Sequence, residues 1–493
     1  GYVALTRPTI ATLIKTFIEA KTFGSLIQIA QELAKALPEL EGLLLQALET
    51  GDAFAYAVAE DLLPLVKQAR VLAMRFDAVV ANPPYMGSKY YFPPLKDFVD
   101  TSFQAGKTDL YGAFTLRNVQ FAEDSGRVAM ITIPNWMFLS GFSQFRSMIS
   151  NTAPLSSLVH IGRGAWGSDF GSCAFVLHRG LAGELRGTFL RLFEKQGGVS
   201  SNDELRNRFH KNPRFRTANN EFARVPGSPV AYWVSNFDLF EMSKLAETAT
   251  SGGRIKTHDD AKFVRMVWEV VSHRIGTSGK WHIFEKGGQF RKWFGGQVFC
   301  FDWSKEAKES YASHGGLSNS KFWNKKGVTW SDVTISTNSF RLKSANAEYS
   351  SVSPTLFFED WKHGLWCLRL LNSKPVEWML RIMNPTFHLN PGDVLNLPIP
   401  TCTPADSQIT DEALRISMND WNAYECALDF QFLPLLTASS DSNPTIESNY
   451  TAWITQNRQT IAEMKRLEEE NNRLFIDAYG LADELTPDVP IEQ

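Results

Sequence analysis

The chain has 493 residues, of which 44% are hydrophobic and 21% charged, a composition of ordinary globular domains that excludes a low-complexity or collagen-like chain. No apolar run approaches the roughly 20 residues of a membrane helix, and Gly1 to Arg7 lack the basic-then-apolar order of a signal peptide. The net charge of −3 conceals an asymmetry: Arg254 to Lys343 holds 16 Lys+Arg against 8 Asp+Glu, and Pro404 to Gln493 holds 5 against 17, so only the middle of the chain is expected to face a polyanion. Cys173, Cys300, Cys367, Cys402 and Cys426 share no CxxC spacing and have no His at ligand distance. Free thiols in a reducing cytoplasm, and no metal site, are expected.

Residues 1–75 read as a helical segment. Ile10, Leu13, Ile14, Phe17 and Ile18 recur at helical spacing, followed by Leu26, Ile27, Ile29, Leu33 and Leu37, then Leu62, Leu63, Leu65 and Val66. Phe76 to Ala81 is short and apolar on both faces, which predicts a strand in the middle of a parallel sheet. Asn82-Pro83-Pro84 ends it, because proline cannot donate to a ladder. Leu110 to Glu123 and Phe138 to Ile149 read as helices. Arg127 to Ile133, Leu158 to Ile161 and Ser172 to Leu177 read as strands. This alternation predicts an α/β catalytic domain over 76–233, part of a doubly wound, Rossmann-like sheet. The polar stretch Gly197 to Arg208 and the loop Val225 to Pro229 are expected to separate it from a mixed α/β domain over 234–404. A helical C-terminal region over 405–493 is expected to end in one long helix, Ile446 to Tyr479, stopped by Gly480.

Asn82-Pro83-Pro84-Tyr85 sits where open α/β sheets place reactive loops, at the carboxyl end of a strand. The exocyclic amine of adenine is a poor nucleophile, because its lone pair is delocalised into the ring. Two acceptors aimed at its N–H bonds favour a more electron-rich nitrogen, and the Asn82 side-chain oxygen and the Pro83 carbonyl can supply them. Two prolines in series fix those acceptors before the substrate arrives. Tyr85 offers a flat face for an extruded base. The alternative is a strand-ending Pro-Pro turn followed by a packed Tyr.

The string resembles the catalytic motif of gamma-class amino methyltransferases. More of the chain is similar to the PglX-type adenine-specific DNA methyltransferases of bacteriophage-exclusion (BREX) systems. The similarity is carried by Asn82-Pro83-Pro84-Tyr85-Met86-Gly87, Lys107-Thr108-Asp109-Leu110-Tyr111 and Gly287 to Gly295. It continues through Leu371-Asn372-Ser373-Lys374 and Gly392 to Pro398. The resemblance implies transfer of a methyl group from S-adenosylmethionine to a flipped adenine of double-stranded DNA, in bacterial phage defence or restriction-modification, alongside other defence proteins. It implies Asn82, Pro83, Pro84 and Tyr85 as catalytic residues. It also implies that Asp109 and Tyr111 border the cofactor, although Asp109 is equally a plain helix cap. Asn135-Trp136 could line the same pocket or belong to the core. Nothing before Phe76 resembles the glycine-rich cofactor motif such enzymes carry. Gly167 to Ser172 follows the catalytic string and reads as a hairpin or loop. The cofactor-binding strands are therefore expected in a segment outside this chain.

In the middle region, Lys286, Arg291, Lys292 and Trp293 crowd around two glycine pairs, and Lys321, Lys325, Lys326 and Arg341 follow. Positive charge beside aromatic faces suits contact with phosphates and bases; a solvated basic surface on an aromatic core is the plainer alternative. The spacing Asp302-x3-Glu306-x-Lys308 is read as charges along one solvated helix face in preference to a nuclease centre. Two further readings remain open: a non-catalytic DNA-binding specificity and assembly module, and methylation of protein glutamine, against which the basic, aromatic middle region argues.

Overall fold

The computed structural model describes residues 2–165, 171–181, 185–193, 201–334, 337, 339–384, 386–401, 408–439 and 443–490, with side chains from residue 7 onward. The chain divides into two compact units, Gly1–Ser235 and Asn236–Gln493.

The first unit opens with the helices Tyr2–Phe17, Gln31–Thr50 and Ala53–Ala73. Their 3.6-residue spacing buries Leu13, Phe17, Leu33, Leu37, Leu40, Leu62 and Val66 in a core of their own. Asp52 caps the third helix, accepting from the Phe54 and Ala55 N–H groups at 3.0 and 2.8 Å. Arg117 fastens this bundle to the helix Leu110–Phe121. Its guanidinium donates to the carbonyls of Ser25, Ile27 and Leu72 at 3.0, 2.7 and 2.9 Å.

Beyond the bundle lie six strands: β1 Phe76–Ala81, β2 Ala122–Thr132, β3 Leu155–Gly162, β4 Ser172–His178, β5 Arg186–Arg191 and β6 Arg214–Ala218. They form one sheet in the order β1-β2-β4-β3-β5-β6. Only β1 with β2 and β3 with β5 run parallel; the other pairs are antiparallel. The sheet is therefore mixed, not uniformly wound. The reason lies in connection length. Residues 82–121 are long enough for a crossover and include the helices Pro93–Ser102 and Leu110–Phe121. The short connection from β3 to β4 permits only an antiparallel return.

Two expectations are corrected here. β1 has the predicted bounds, but it is not central: among the described residues it lies at the sheet's edge, paired only with β2. Val80 is consequently 80% exposed. An apolar run marks a strand that needs covering on both faces, yet it does not say which chain segment does the covering. Nor is the polar stretch after Gly197 a linker in its described part. Ser201 caps the helix Asn202–Lys211, accepting from Glu204 N–H at 3.1 Å, and β6 then returns to the same sheet. The loop at Val225 to Pro229 is likewise held inside the first unit. The buried Arg146 guanidinium donates to the carbonyls of Ser228, Trp136 and Leu139, each at 2.8 Å, and also to Gly227. Residues 167–170 of the expected Gly/Ser loop, and Cys402, lie outside the described residues.

In the second unit, eight short strands form two four-stranded sheets. One joins β8 Val264–Met266, β9 Trp281–Glu285, β10 Phe299–Asp302 and β13 Ala347–Tyr349 in the order β13-β9-β10-β8. The other joins β7 Ala249–Ser251, β11 Gly327–Trp330, β12 Phe340–Lys343 and β14 Thr355–Phe358 in the order β12-β11-β14-β7. Ile255, Phe284, Phe301, Trp303 and Tyr311 share a core. The long helix spans Ile446–Tyr479, as predicted, and ends at Gly480 in the left-handed conformation, φ 66°. It packs into this unit through Leu467, Phe475, Ile476 and Tyr479. Asn471 exchanges hydrogen bonds with Arg369 at 3.2 and 3.0 Å.

Candidate active site

β1 ends in the tetrapeptide that the sequence singled out. Pro83 is buried, Asn82 and Pro84 are exposed, and the Tyr85 side chain is 47% exposed. The Tyr85 hydroxyl lies 2.9 Å from Asn82 Oδ1 and 3.1 Å from the Ile131 carbonyl at the end of β2. A hydroxyl has one proton to donate. The Asn82 oxygen and the Ile131 carbonyl therefore share that proton, and the acceptor expected to meet an adenine amine is covered by the protein's own tyrosine.

Aromatic packing supports Tyr85 from below. The Tyr111 ring meets it edge-on with centroids 6.1 Å apart, and Tyr111 stacks on Phe142 at 5.4 Å. Such pairs orient one another through their quadrupoles. Trp136 is wholly buried and donates to Thr132 Oγ1 at 3.0 Å, so it belongs to the core beneath the site, while Asn135 is exposed. Burial raises the Tyr85 pKa, with Cys173 and Asp109 adding to it. Burial also raises the Cys173 thiol to about 11. Both groups are neutral near pH 7.

Asp109 is half-buried at the start of the helix Leu110–Phe121. Its Oδ1 accepts from Met86 N–H at 3.0 Å and from Tyr111 N–H at 3.4 Å. Desolvation raises its pKa against the lowering effect of the Met86, Tyr111 and Leu110 N–H groups. The Tyr111 side chain is buried, and burial raises its pKa against the lowering effect of a backbone hydrogen bond at Trp136. These residues were expected to border S-adenosylmethionine. Asp109 Oδ1 is already engaged by backbone, and Tyr111 packs against Tyr85 and Phe142. Together they do not make a site for the whole cofactor. Sequence reasoning passed over Tyr90 and Phe92, which are exposed after Tyr85. Their only signal was apolar type at a site that is polar elsewhere.

The basic segment of the second unit looks inward. Trp293 is 1% exposed, and its indole N–H donates to Glu468 Oε1 at 3.0 Å. Lys292 Nζ meets the other oxygen of Glu468 at 2.9 Å. Arg291 pairs with Asp420 at 2.7 Å and lies over the Trp421 and Tyr424 rings. Lys286 pairs with Asp260, and Arg341 is wholly buried. Of the cations singled out, Lys321, Lys325 and Lys326 are exposed. The acidic C-terminal region supplies Asp420 and Glu468, a pairing that opposite net charges announce only at the level of whole segments. Sequence reasoning also missed a groove lined by Arg265, Glu269, Val270, Val271, Arg274 and Trp281; Trp268, adjacent in sequence, is 56% exposed. Asp302 is taken up by Lys280 at 2.9 Å, and among the described residues no acidic, His or Cys group is placed to hold a metal ion.

Comparison with known proteins bears on the stretch around β1. Residues 27–165, which include Asn82 to Tyr85, match the Eco57I restriction-modification methylase family. Over most of its length the chain is homologous to adenine-specific methyltransferases of the PglX and BrxX kind. It is 31% identical over 456 residues to the adenine-specific methyltransferase PglX of Lacticaseibacillus casei (strain Zhang), covering 86% of this chain and 38% of that protein. It is 28% identical over 485 residues to the adenine-specific methyltransferase BrxX of Escherichia coli O9:H4 (strain HS), covering 95% of this chain and 39% of that protein. The chain thus spans about two-fifths of the length of these curated relatives. Among solved structures, the Type IIL restriction-modification enzyme MmeI in complex with DNA aligns with 84% of this chain and 55% of its own, at 10% identity and a TM-score of 0.49.

Proposed function

We propose that this chain supplies the base-holding and target-recognition portion of a site-specific DNA adenine N6-methyltransferase of bacterial phage defence or restriction-modification, acting in the cytoplasm with other defence proteins. The observation that carries the reading is the placement of Asn82 and Pro83 at the carboxyl end of β1, with Tyr85 poised over them. An adenine flipped out of the duplex would displace the Tyr85 hydroxyl from Asn82 Oδ1. Its amine would then donate to that oxygen and to the Pro83 carbonyl, and its ring would stack on Tyr85. Both acceptors are positioned before the base arrives, so little reorganisation is needed as positive charge develops on the nitrogen. S-adenosylmethionine supplies the electrophilic methyl group. Residues 76–233 form the catalytic portion in this reading, and residues 234–404 read the target.

The open edge of β1, together with the greater length of the relatives, supports a further element of the reading. The strands that hold the methyl donor pair along that edge and cover Val80. For DNA, the exposed Lys325 and Lys326 and the surface of Trp268 and Arg274 are the better contacts, while Lys286, Arg291, Lys292 and Trp293 support the fold. The Tyr85 hydroxyl on Asn82 Oδ1 suits a second reading, a non-catalytic DNA-binding and assembly module. Titration of the full-length protein with S-adenosylmethionine separates the two, followed by mass spectrometry of the nucleosides of treated DNA. Donor binding with N6-methyladenine as product supports the enzyme, and absence of both supports the module.

A further inference from the structure

We infer that Asp109 is a positioning residue, which holds the loop after Tyr85 in its working conformation in place of contacting the methyl donor. The inference rests on the adenine-methylating reading of Asn82 to Tyr85.

The loop after Tyr85 is tied to a single turn, and Asp109 is the centre of that tie. Its Oδ1 accepts from Met86 N–H at 3.0 Å, one residue after Tyr85. Leu110 N–H donates back to the Met86 carbonyl at 2.9 Å, and Ser88 N–H donates to the Thr108 carbonyl at 3.1 Å. Gly87 and Asp109 thus face one another as an isolated antiparallel bridge. Met86 has both backbone groups engaged, and one of the two depends on a side chain.

The turn that holds this loop has little freedom. Thr108 Oγ1 donates to the Gly141 carbonyl at 2.7 Å. Gly106 and Gly112 approach so closely that a Cβ on Gly106 would lie 2.6 Å from the Gly112 carbonyl carbon. The helix that follows is buried along Leu110, Tyr111, Gly112 and Ala113. A loop attached to so fixed a turn takes its position from it. Tyr111, the next residue but one, adds the edge-on contact beneath the Tyr85 ring. The same short segment therefore sets both the backbone after Tyr85 and the floor under its ring.

This arrangement needs an acceptor at position 109 and does not need a charge. A donor-binding carboxylate would need the charge. The two roles separate on substitution of the full-length protein. Asp109→Asn keeps the acceptor, and Asp109→Ala removes it while leaving the Leu110 and Ser88 hydrogen bonds intact. Small misplacements of reacting groups are costly, so Asp109→Ala is expected to lower kcat about 10- to 100-fold. KM for S-adenosylmethionine should stay within about 3-fold of wild type, and Asp109→Asn should restore most of kcat. Hydrogen exchange at the Met86 amide provides a readout independent of activity. It should quicken in Asp109→Ala and remain slow in wild type and Asp109→Asn. Equal loss in both variants with a rise in donor KM, or a Met86 amide still protected in Asp109→Ala, overturns the assignment. If the wild-type protein transfers no methyl group to DNA, the functional reading fails, and exchange at Met86 alone still decides whether Asp109 holds the loop.

Discussion

The loop after β1 and the segment from Lys286 to Gly296 are both rich in residues that recognise nucleic acids, and the fold treats them in opposite ways. Asn82 and Tyr85 stay exposed at an open strand end, with the Tyr85 hydroxyl shared between Asn82 Oδ1 and the Ile131 carbonyl. Lys292 and Trp293 turn inward onto the two oxygens of Glu468, and Arg291 turns onto Asp420. A carboxyl strand end is fixed by sheet topology, so a motif there keeps its accessibility. A basic-aromatic cluster between glycines has no such anchor, and an acidic helix distant in sequence can claim it. Residue type at a strand end therefore predicts accessibility better than residue type between glycines does.

The sharpest way to break this contrast is to delete the inward-facing anchor. Trp293→Ala is expected to destabilise the second unit by about 3–5 kcal/mol, the cost of emptying a buried Trp site. Thermal or denaturant unfolding measures it, and an unchanged transition would mean that the indole is not packed as described. A smaller effect is expected in the first unit from His160. Burial, with a contribution from Arg191, lowers its pKa to about 3. Between that value and the ordinary 6.5, the unfolded chain binds a proton that the folded chain refuses, so stability is lost as pH falls through this window. At pH 5 the loss should be about 2 kcal/mol relative to pH 7.5, read from melting curves of wild type against His160→Gln.

Effects on DNA binding should fall on the outward residues. Changing Lys325 and Lys326 together to Ala is expected to reduce the slope of log K against log salt by about 2, near 0.9 for each phosphate that is no longer neutralised. A slope equal to wild type would return the interface to the inward cluster. The smallest effect is expected from Tyr85→Phe. It keeps the ring for stacking and removes the hydroxyl that covers Asn82, so kcat should change by no more than about 3-fold. A loss as deep as that of Tyr85→Ala would give the hydroxyl a role in the chemistry.

Several elements of both units were legible from local pattern. The bounds of β1 and of the helix Ile446–Tyr479 follow from apolar runs ended by Pro-Pro and by Gly480. What local pattern could not give was partnership. Nothing in Phe76 to Ala81 says that its outer edge lacks a neighbour among the described residues. Nothing near Trp293 names Glu468, which is far away in sequence and becomes a neighbour only through the packing of the long helix. The polar helix after Ser201 was missed because its surface is charged nearly all round, and a solvated helix of that kind reads like a linker. At the site, Asn82 to Tyr85 could be read directly. The Tyr85 hydrogen bond and the Asp109 tie could not, since each depends on how the loop folds back.

The central claim is that Asn82 holds the base that receives the methyl group. Its most direct test is N6-methyladenine formation in DNA by the full-length protein, comparing wild type with Asn82→Ala and quantifying nucleosides by mass spectrometry. The account predicts product from wild type and a loss of about 100-fold or more in Asn82→Ala, the scale expected when one preorganised hydrogen-bonding partner of the reacting centre is removed, with unfolding transitions unchanged. Methylation by Asn82→Ala at the wild-type rate would contradict it.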